Sequence, residues 1–358
     1  MSFKLSCAVM AKAPDDGALQ RAIASIRPHV DEVCLLWTCK EGEERPRLEG
    51  VDVVGFSDVC NAQQDCPPES ACQCKAGDIT DFAAARNASW ALTTGGLVTY
   101  VDSDDLVVAS PGANLRQLYK ENVRTLYPYD YTHDSSGTCV ARHHVDRVVA
   151  KATSFWTDPV HNMLTFPSGM SLEKTDAVRW VHQRGNTGAA HSTARALRIL
   201  RHWEGSAKYA NDARFAYYLG RVHLDAGLRG RASVELERAY HLQTHVDHKT
   251  LIALDLARCW APAPKYALEW GHRALELRPE WPAPWLTLAR LYRALASSGA
   301  EPRKNAKLAH QFLRGGLACD DADTMVFTDP TERVWTSRLI LGTDLRVSPP
   351  AAAREATQ

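Results

Sequence analysis

The chain has 358 residues, of which 45% are hydrophobic, and this length and composition are enough for about two domains with apolar cores. Its 42 Lys and Arg residues balance its 42 Asp and Glu residues, so no overall basic charge favours a nucleic acid or an anionic membrane as partner. No apolar run reaches the roughly 18 residues that a membrane span needs, and no apolar leader opens the chain, so we expect a cytoplasmic protein without a membrane span.

The cysteines follow two patterns. Cys7 and Cys34 fall in apolar strand segments and Cys259 and Cys319 in helical segments, where reduced cysteine behaves as a small hydrophobe. Four others crowd one polar loop, and their C-x5-C-x5-C-x-C spacing lacks the paired C-x2-C of zinc knuckles. We expect an ordinary thiol-bearing loop, with a structural zinc or a disulfide as open alternatives, for Cys60, Cys66, Cys72 and Cys74.

A capped helix, a tight turn and a buried strand follow at residues 81–105. Asp81 has the character of a helix N-cap, and the apolar run 97–101 that of a buried strand. This strand delivers three carboxylates to its carboxyl end, where ligands bind in open α/β sheets: Asp102, Asp104 and Asp105. Because packed carboxylates repel one another, a divalent cation with oxygen ligands is the simplest partner, and it indicates a nucleotide-diphosphate site. A solvated acidic turn is the alternative.

The block 81–105 resembles family 2 glycosyltransferases of the GT-A type, in which Asp-Phe-Ala-x-x-Arg-Asn precedes Asp-x-Asp at a similar interval. Segments 5–12, 19–26 and 30–36 resemble the first strand, first helix and second strand of that family, in the same order. The resemblance implies an α/β GT-A (Rossmann-like) nucleotide-sugar domain over residues 1–194. It also implies Mn²⁺ or Mg²⁺ as cofactor and transfer with inversion.

The same resemblance implies roles for single residues. Asp104, helped by Asp102, would hold the cation. Arg86 would help to hold the diphosphate, or it would form an ion pair with Asp102 or Asp105 that steadies the fold. Contacts to the nucleotide sugar are expected from Asp102, Asp104, Arg86 and Ala11.

One departure from the family leaves the nucleotide base of the sugar donor undetermined. Where relatives often end the second strand with Asp-Thr-Gly-Ser, residues 37–40 read Trp-Thr-Cys-Lys, so a carboxylate that commonly meets the nucleoside is missing. A UDP-sugar remains the expected donor.

Two histidines belong to a second resemblance. Residues 155–162 are similar to the Trp-x-x-x-Val-His-Glu motif of relatives that join a family 2 domain to tetratricopeptide repeats, and a later Val-x-His is matched near His182. His182 is therefore a candidate metal ligand, and His161 a candidate for contact with the acceptor or its loop. For both, a hydrogen-bonding role in a loop is the alternative.

The identity of the general base is a further question. Relatives carry Glu where this chain has Asn162, and an amide cannot take a proton from the acceptor. Asp158 or Asp105 could substitute as catalytic base, and we favour Asp158. A thiol acceptor, which depends less on a base, and loss of activity are the other possibilities.

From about residue 195 the pattern changes to Ala- and Leu-rich helical periodicity with internal repeats. The spacing of several large and small residues matches the paired helices of tetratricopeptide units: Leu219, Gly220, Ala232, Ala239, Ala267, Ala274, Pro279, Trp285, Leu288, Ala289 and Tyr292. We predict three repeats, the last interrupted by residues 297–302, in an all-α domain over 195–345. The polar end of the chain predicts a disordered tail over 346–358.

Three functions fit the sequence. The leading one is an inverting, metal-dependent glycosyltransferase whose repeats recruit a protein or peptide acceptor. The second keeps the chemistry with a glycan or lipid-linked sugar as acceptor, and uses the repeats as a scaffold or homo-oligomer surface. The third is a non-catalytic tetratricopeptide adaptor, which the intact acidic motif argues against because carboxylates with no ion to hold are an electrostatic liability.

Overall fold

The computed structural model describes residues 3–12, 17–38, 44–55, 79, 81–133, 139–160, 162–183, 189–320 and 332–341. The chain divides into two compact units, residues 1–204 and 205–358. The first unit is mixed α/β and the second is helical, which confirms the predicted fold class of an α/β domain followed by an all-α repeat domain. His161, the four loop cysteines and the predicted tail at 346–358 lie outside the described residues.

The described elements of the first unit, in chain order, are β1 (Leu5–Lys12), α1 (Ala18–Ile26), β2 (Glu32–Thr38), β3 (Asp52–Gly55), α2 (Phe82–Ala91), β4 (Leu97–Asp102), β5 (Asp105–Ala109), α3 (Leu115–Leu118), β6 (Val123–His133), β7 (Cys139–Asp146), β8 (Val148–Ala150), β9 (Phe155–Thr157), β10 (Met163–Thr165), β11 (Ser171–Lys174), β12 (Val178–His182) and α4 (Ala189–Trp203). Helix α4 falls in the first unit, which ends at Glu204.

The first sheet has the order β3-β2-β1-β4-β8, with its first four strands parallel and β8 antiparallel to β4. Alternate side chains of β1 pack on the two faces of the sheet, because successive side chains of a strand point to opposite sides. Leu5, Cys7 and Val9 join a core that includes the buried face of α1, while Ala8 packs in a second cluster with Trp90 of α2. Both faces are therefore covered, as expected for a parallel sheet.

Helix α2 begins where the sequence indicates. The Asp81 carboxylate accepts a hydrogen bond from the backbone N–H of Ala84 at 2.9 Å, which satisfies one of the free donors of the first turn. Asn87 then anchors the helix to β9 through two hydrogen bonds with the backbone of Trp156, at 2.8 and 3.0 Å. The α2 segment thus holds the β9–β10 hairpin in place.

A second sheet has the order β11-β6-β12-β5, and β7 pairs with β6. Strand β12 runs parallel to β6 and antiparallel to β5. Since β5 follows β4 after a short turn at Ser103 and Asp104, the two sheets are joined at the acidic motif.

The second unit consists of helices α5 (Ala213–Asp225), α6 (Arg229–Leu242), α7 (Val246–Cys259), α8 (Pro264–Leu277), α9 (Pro282–Ser297), α10 (Pro302–Ala318) and α11 (Glu332–Leu341). Within its described residues α5 packs on α6, α7 on α8 and α9 on α10, which agrees with the three repeats predicted. Gly220 allows the close approach of the first pair, because a Cβ there would lie 2.7 Å from Leu236 Cγ. None of the helices described has the length and apolar character needed to cross a bilayer.

The described cysteines match their predicted role in part. Cys7, Cys34 and Cys259 are free and buried, whereas Cys319 is free but half-buried. Burial raises the pKa of the Cys34 thiol to about 11, with a further contribution from the Glu32 charge, so this thiol stays protonated at neutral pH. The three buried cysteines act as small apolar side chains in the core.

Candidate active site

The acidic motif lies at the carboxyl end of the parallel strands. Asp102 is the last residue of β4, Asp104 lies in the turn, and Asp105 is the first residue of β5. This edge of the sheet is where open α/β sheets bind their ligands.

Three side chains converge there. His182 ends β12 and is the direct cross-strand partner of Asp105 on β5. Its Nδ1 lies 3.2 Å from Asp105 Oδ1 and 3.8 Å from Asp104 Oδ1. One ligand atom from each of Asp104, Asp105 and His182 lies within 4.8 Å of the other two. The antiparallel pairing of β5 with β12 therefore builds a group of potential metal ligands.

Asp102 forms an ion pair with Arg86 and is not part of this group. Its Oδ1 accepts from Nη2 of Arg86 at 2.8 Å, and the guanidinium lies over the rings of Trp156 and Tyr100, 4.9 and 5.4 Å from their centroids. Burial acts to raise the pKa of Asp102, but the charges of Arg86 and Arg147 outweigh it and hold the pKa below its usual value. The structure thus groups Asp105, and not Asp102, with Asp104 and His182.

Asp105 is the fully buried member of the cluster. Its Oδ1 accepts a hydrogen bond from the Tyr129 hydroxyl at 2.9 Å, and its Oδ2 forms an ion pair with Nη2 of Arg147 at 3.3 Å. A carboxylate that is enclosed in this way cannot reach an acceptor hydroxyl in solvent. Its geometry fits a structural or ligand role better than that of the acceptor base for which it was a candidate.

Arg147 was not anticipated from the sequence. It is 2% exposed, and its guanidinium lies 4.4, 4.8 and 5.3 Å from the ring centroids of Tyr100, Tyr129 and Trp180. Burial opposes its charge, but Tyr100 and Asp105 favour that charge, and the pKa is raised. No local signal marked it, because Arg147 follows a polar stretch that includes His143, His144 and Asp146.

The two half-buried members of the cluster, Asp104 and His182, have shifted pKa values. Burial, and then repulsion from Asp102 and Asp105, raises the pKa of Asp104 despite the opposing effect of His182. The hydrogen bond to Asp105 raises the pKa of His182 against the effect of burial. Negative charge is therefore in excess around Asp104, which favours a cation there.

The His182 ring is also held by stacking. The ring of Tyr131 on β6 lies nearly parallel to it, at 12° and 5.2 Å between centroids. Tyr131 is 43% exposed, so it forms part of the surface around the cluster.

The β9–β10 hairpin connects to this group through Arg86. Nε of Arg86 donates to Asn162 Oδ1 at 3.3 Å, and Asn162 Nδ2 donates to the carbonyl of Asp158. Asp158 is half-buried and has a left-handed backbone conformation, with φ of 69°. Asn162 is thus a hydrogen-bonding bridge between Arg86 and the hairpin loop.

Ala11 lies near the carboxyl end of β1, beside the other parallel strand ends. Its side chain is buried, it pairs with Trp37 of β2, and its carbonyl accepts from the Thr38 hydroxyl at 2.9 Å. Trp37 is 4% exposed, and its Nε1 has no hydrogen-bond partner among the described residues. The contact of Ala11 with a nucleotide stays a prediction.

The three converging side chains fit a divalent cation. Neighbouring ligands of an octahedral ion at 2.0–2.1 Å lie about 3 Å apart. The separations of 3.2 and 3.8 Å from His182 Nδ1 to the two carboxylates approach this value, so small side-chain rotations would complete the set. Carboxylate oxygens suit both Mg²⁺ and Mn²⁺, and the imidazole favours Mn²⁺.

Comparison with known proteins finds similarity to solved structures at low scores. No protein-family model and no curated protein matches the chain. Among solved structures 110 chains match. One is a Podospora anserina protein with nearly identical TPR-like repeats of the kinesin light chain type, with 13% identity and a TM-score of 0.31 over 42% of this chain and 74% of that one. Another is S. aureus TarS, with 9% identity and a TM-score of 0.36 over 73% of this chain and 53% of TarS. These scores are too low to assign an activity.

Proposed function

We propose that the chain is an inverting, metal-dependent glycosyltransferase that moves a sugar from a nucleotide-diphosphate sugar to an acceptor. The observation that supports this most directly is the convergence of Asp104, Asp105 and His182 at the carboxyl end of a parallel sheet. The motif resemblance over residues 81–105 supports the same reaction class, since it is carried by the strand that ends in this cluster.

The carboxylates have unequal roles in this proposal. Asp102 is compensated by Arg86 and Asp105 by Arg147, whereas Asp104 is the carboxylate without an arginine at ion-pair distance among the described residues. Asp104 would therefore provide the main attraction for Mn²⁺ or Mg²⁺, with neutral His182 and the buried Asp105 as further ligands. A bound cation would stabilise the negative charge that develops on the leaving diphosphate.

Arg86 has a double role in the proposed site. Its ion pair with Asp102 fixes the end of β4, as the sequence allowed, and its Nε–H fixes the hairpin loop through Asn162. A direct contact of Arg86, Asp102 or Ala11 with the donor remains part of the proposal. UDP as the nucleotide of the donor also remains part of the proposal.

Asp158 is the proposed base for the acceptor. The contacts from Asp102 through Arg86 and Asn162 tie the backbone of Asp158 to the end of β4 that carries the acidic motif. Asp105 is enclosed by Tyr129 and Arg147, which leaves Asp158 as the more accessible of the two candidate carboxylates. His161 follows three residues later in the sequence and keeps its proposed role at the acceptor.

The acceptor is proposed to be a protein or peptide that the helical repeats recruit. Stacked helix pairs of this type present extended surfaces that suit polypeptides. The test offers labelled UDP-sugar to the full-length protein with a peptide library and, separately, with a glycan panel. Transfer of the label to a peptide supports the proposal. Transfer to a glycan alone indicates the alternative acceptor.

The reaction class is tested by hydrolysis and transfer with purified protein. We expect turnover of at least one nucleotide sugar that requires Mn²⁺ or Mg²⁺ and that Asp104→Asn abolishes. Glu173→Gln is the matched control, because Glu173 is an exposed carboxylate in the same unit, paired with Lys120. A complete lack of metal-dependent turnover with UDP-, GDP- and dTDP-sugars would favour the non-catalytic adaptor.

A further inference from the structure

One face of α8 carries charges of alternating sign. Lys265, Glu269, Arg273 and Glu276 are exposed, and their spacing of i, i+4, i+8 and i+11 places them in one row along the helix. Neighbouring members of the row have the spacing for ion pairs within the helix. Among the residues that the structure describes, however, none of the four is in an ion pair.

Charges on neighbouring helices are paired within the chain. Arg238 pairs with Glu235 on α6 at 2.6 Å, and Lys304 pairs with Glu301 at the start of α10 at 2.8 Å. The α8 row differs from these because its charges are not paired with opposite charges among the described residues, although the Arg273 guanidinium lies over the ring of Trp270, 4.5 Å from its centroid.

A groove of about 520 Å³ runs beside the row and is lined by Leu268 and His272 of α8 and by Tyr292 of α9. Its aromatic wall is held in place, because Tyr292 stacks on Phe312 at 5.3 Å and 10°, and its hydroxyl lies 3.2 Å from Nε2 of His272. The charged row therefore borders a partly apolar surface that a second helix could contact.

We propose that this surface binds a second copy of the chain, with the two α8 helices antiparallel about a two-fold axis. From its amino end the row reads plus, minus, plus, minus, and an antiparallel copy presents the opposite sign at each position. Lys265 would face Glu276 of the second copy, and Glu269 would face Arg273 of the second copy. The symmetry makes each pair occur twice, whereas a parallel copy would place like charges opposite one another.

The spacing of the row agrees with this symmetry. The midpoint between Lys265 and Glu276 and the midpoint between Glu269 and Arg273 coincide to within about 1 Å along an axis that rises 1.5 Å per residue. Both sets of pairs can therefore form about one two-fold axis. The formal net charge of zero also leaves no overall repulsion between copies.

The test measures self-association of the full-length protein by sedimentation velocity over a range of concentrations. We expect a reversible monomer–dimer equilibrium at low salt that shifts towards monomer as salt is added, because exposed ion pairs are screened. Glu269→Arg alone and Arg273→Glu alone each place like charges opposite one another, and each should weaken dimerisation by about tenfold or more.

The double variant with Glu269→Arg and Arg273→Glu is the decisive one. Its row reads plus, plus, minus, minus, which is again complementary to an antiparallel copy, so dimerisation should return to within about threefold of the wild type. Glu301→Arg is the control, since it changes net charge as Glu269→Arg does but leaves the row intact. Circular dichroism verifies that each variant is folded.

Two results would overturn the proposal. One is a wild-type protein that stays monomeric at every concentration in low salt, which would leave the groove for another partner. The other is a dimer that the single variants do not weaken or that the double variant does not restore. Neither result depends on glycosyltransferase activity, so this test and that of the proposed function fail independently.

Discussion

Each carboxylate of the acidic motif has a different electrostatic partner. Asp102 pairs with Arg86 and Asp105 with Arg147, whereas Asp104 has Nδ1 of His182 at 3.8 Å and no arginine at ion-pair distance among the described residues. Two of the three negative charges are therefore balanced by arginines whose charge does not depend on pH in the physiological range. The remaining charge at Asp104 determines how strongly the proposed site attracts a metal ion.

Substitution of Asp104 and Asp102 tests this difference. We expect Asp104→Asn to weaken Mn²⁺ binding by at least about tenfold, since removal of outer-shell groups alone typically has that effect. Asp102→Asn should weaken it less, because the Asp102 carboxylate is occupied by Arg86. Calorimetric titration of Mn²⁺ in the presence of UDP measures both affinities. Equal losses in the two variants would contradict the structural grouping and favour the pair of ligands that the family resemblance implies.

Substitution of Arg147 tests how much its ion pair with Asp105 contributes to the stability of the fold. Arg147→Met would leave Asp105 as an uncompensated buried charge, and we expect a loss of about 3–5 kcal/mol in the free energy of unfolding. Addition of Asp105→Asn should recover part of this loss, because the uncompensated charge is then removed. Urea unfolding of the wild type, the single variant and the double variant measures the effect. A single variant as stable as the wild type would contradict it.

Among the secondary-structure elements, the turn before β4 is held close to β1. Gly95 lies against the start of β1, and a Cβ on it would be 2.4 Å from Ser6 Oγ and 2.5 Å from the carbonyl of Lys4. Because one of these atoms belongs to the backbone, the strand itself would have to move.

Gly95→Ala should therefore lower the free energy of unfolding by about 1–3 kcal/mol. Gly112→Ala is a useful comparison, although its φ of 78° adds backbone strain, because no atom lies within 4 Å of a Cβ there. Thermal unfolding of the two variants separates the effect of close packing from that of conformation. A Gly95→Ala variant with wild-type stability would show that β1 and the turn can separate at little cost.

Glu32 ties the amino ends of β1, β2 and β4 together. Its carboxylate accepts from Lys4, from the Ser6 hydroxyl at 2.6 Å and from Thr94. Burial acts to raise its pKa, but these hydrogen bonds outweigh burial and lower the pKa to about 2. Because the folded-state pKa lies below the usual value of 4.5, the stabilisation is present above pH 4.5 and is lost as the pH falls towards 2.

Glu32→Gln should remove this contribution, which the lowered pKa puts at no more than about 3 kcal/mol at neutral pH because solvent screens this partly accessible carboxylate. The difference in unfolding free energy between wild type and variant should be constant above about pH 5 and shrink towards acid. Urea unfolding at a series of pH values checks it, with Glu173→Gln as the exposed control. A difference that does not change with pH would exclude the ionised carboxylate as its cause.

Local elements were predictable from the sequence, and the pairing of distant elements was not. The cap at Asp81, the buried strand over 97–101 and the helix periodicity of the repeats depend on neighbouring residues, and the structure has all of them. The contact between Asp105 and His182 depends on the antiparallel register of β5 with β12, which joins positions far apart in the chain. The burial of Arg147 depends on three rings from separate strands, so its role appears only in the folded chain.

The whole molecule consists of two units that each have a core of their own. The core of the first unit combines β1, β2, α1 and β6, while that of the second combines buried residues of α5 to α9. The candidate metal ligands, Arg86 and Asp158 all belong to the first unit. Chemistry and proposed self-association are thus assigned to different units.

Separate expression tests this division. Fragments 1–204 and 205–341 should each fold, because domains with their own cores are able to fold alone and helical repeats are stabilised by contacts between neighbours. We expect a cooperative thermal transition for each fragment in circular dichroism, and Mn²⁺-dependent hydrolysis of nucleotide sugars by 1–204 alone. The second fragment should retain the dimerisation of the full chain and its sensitivity to Glu269→Arg. If either fragment lacks a cooperative transition, its core requires the rest of the chain, and the two units are a single folding domain.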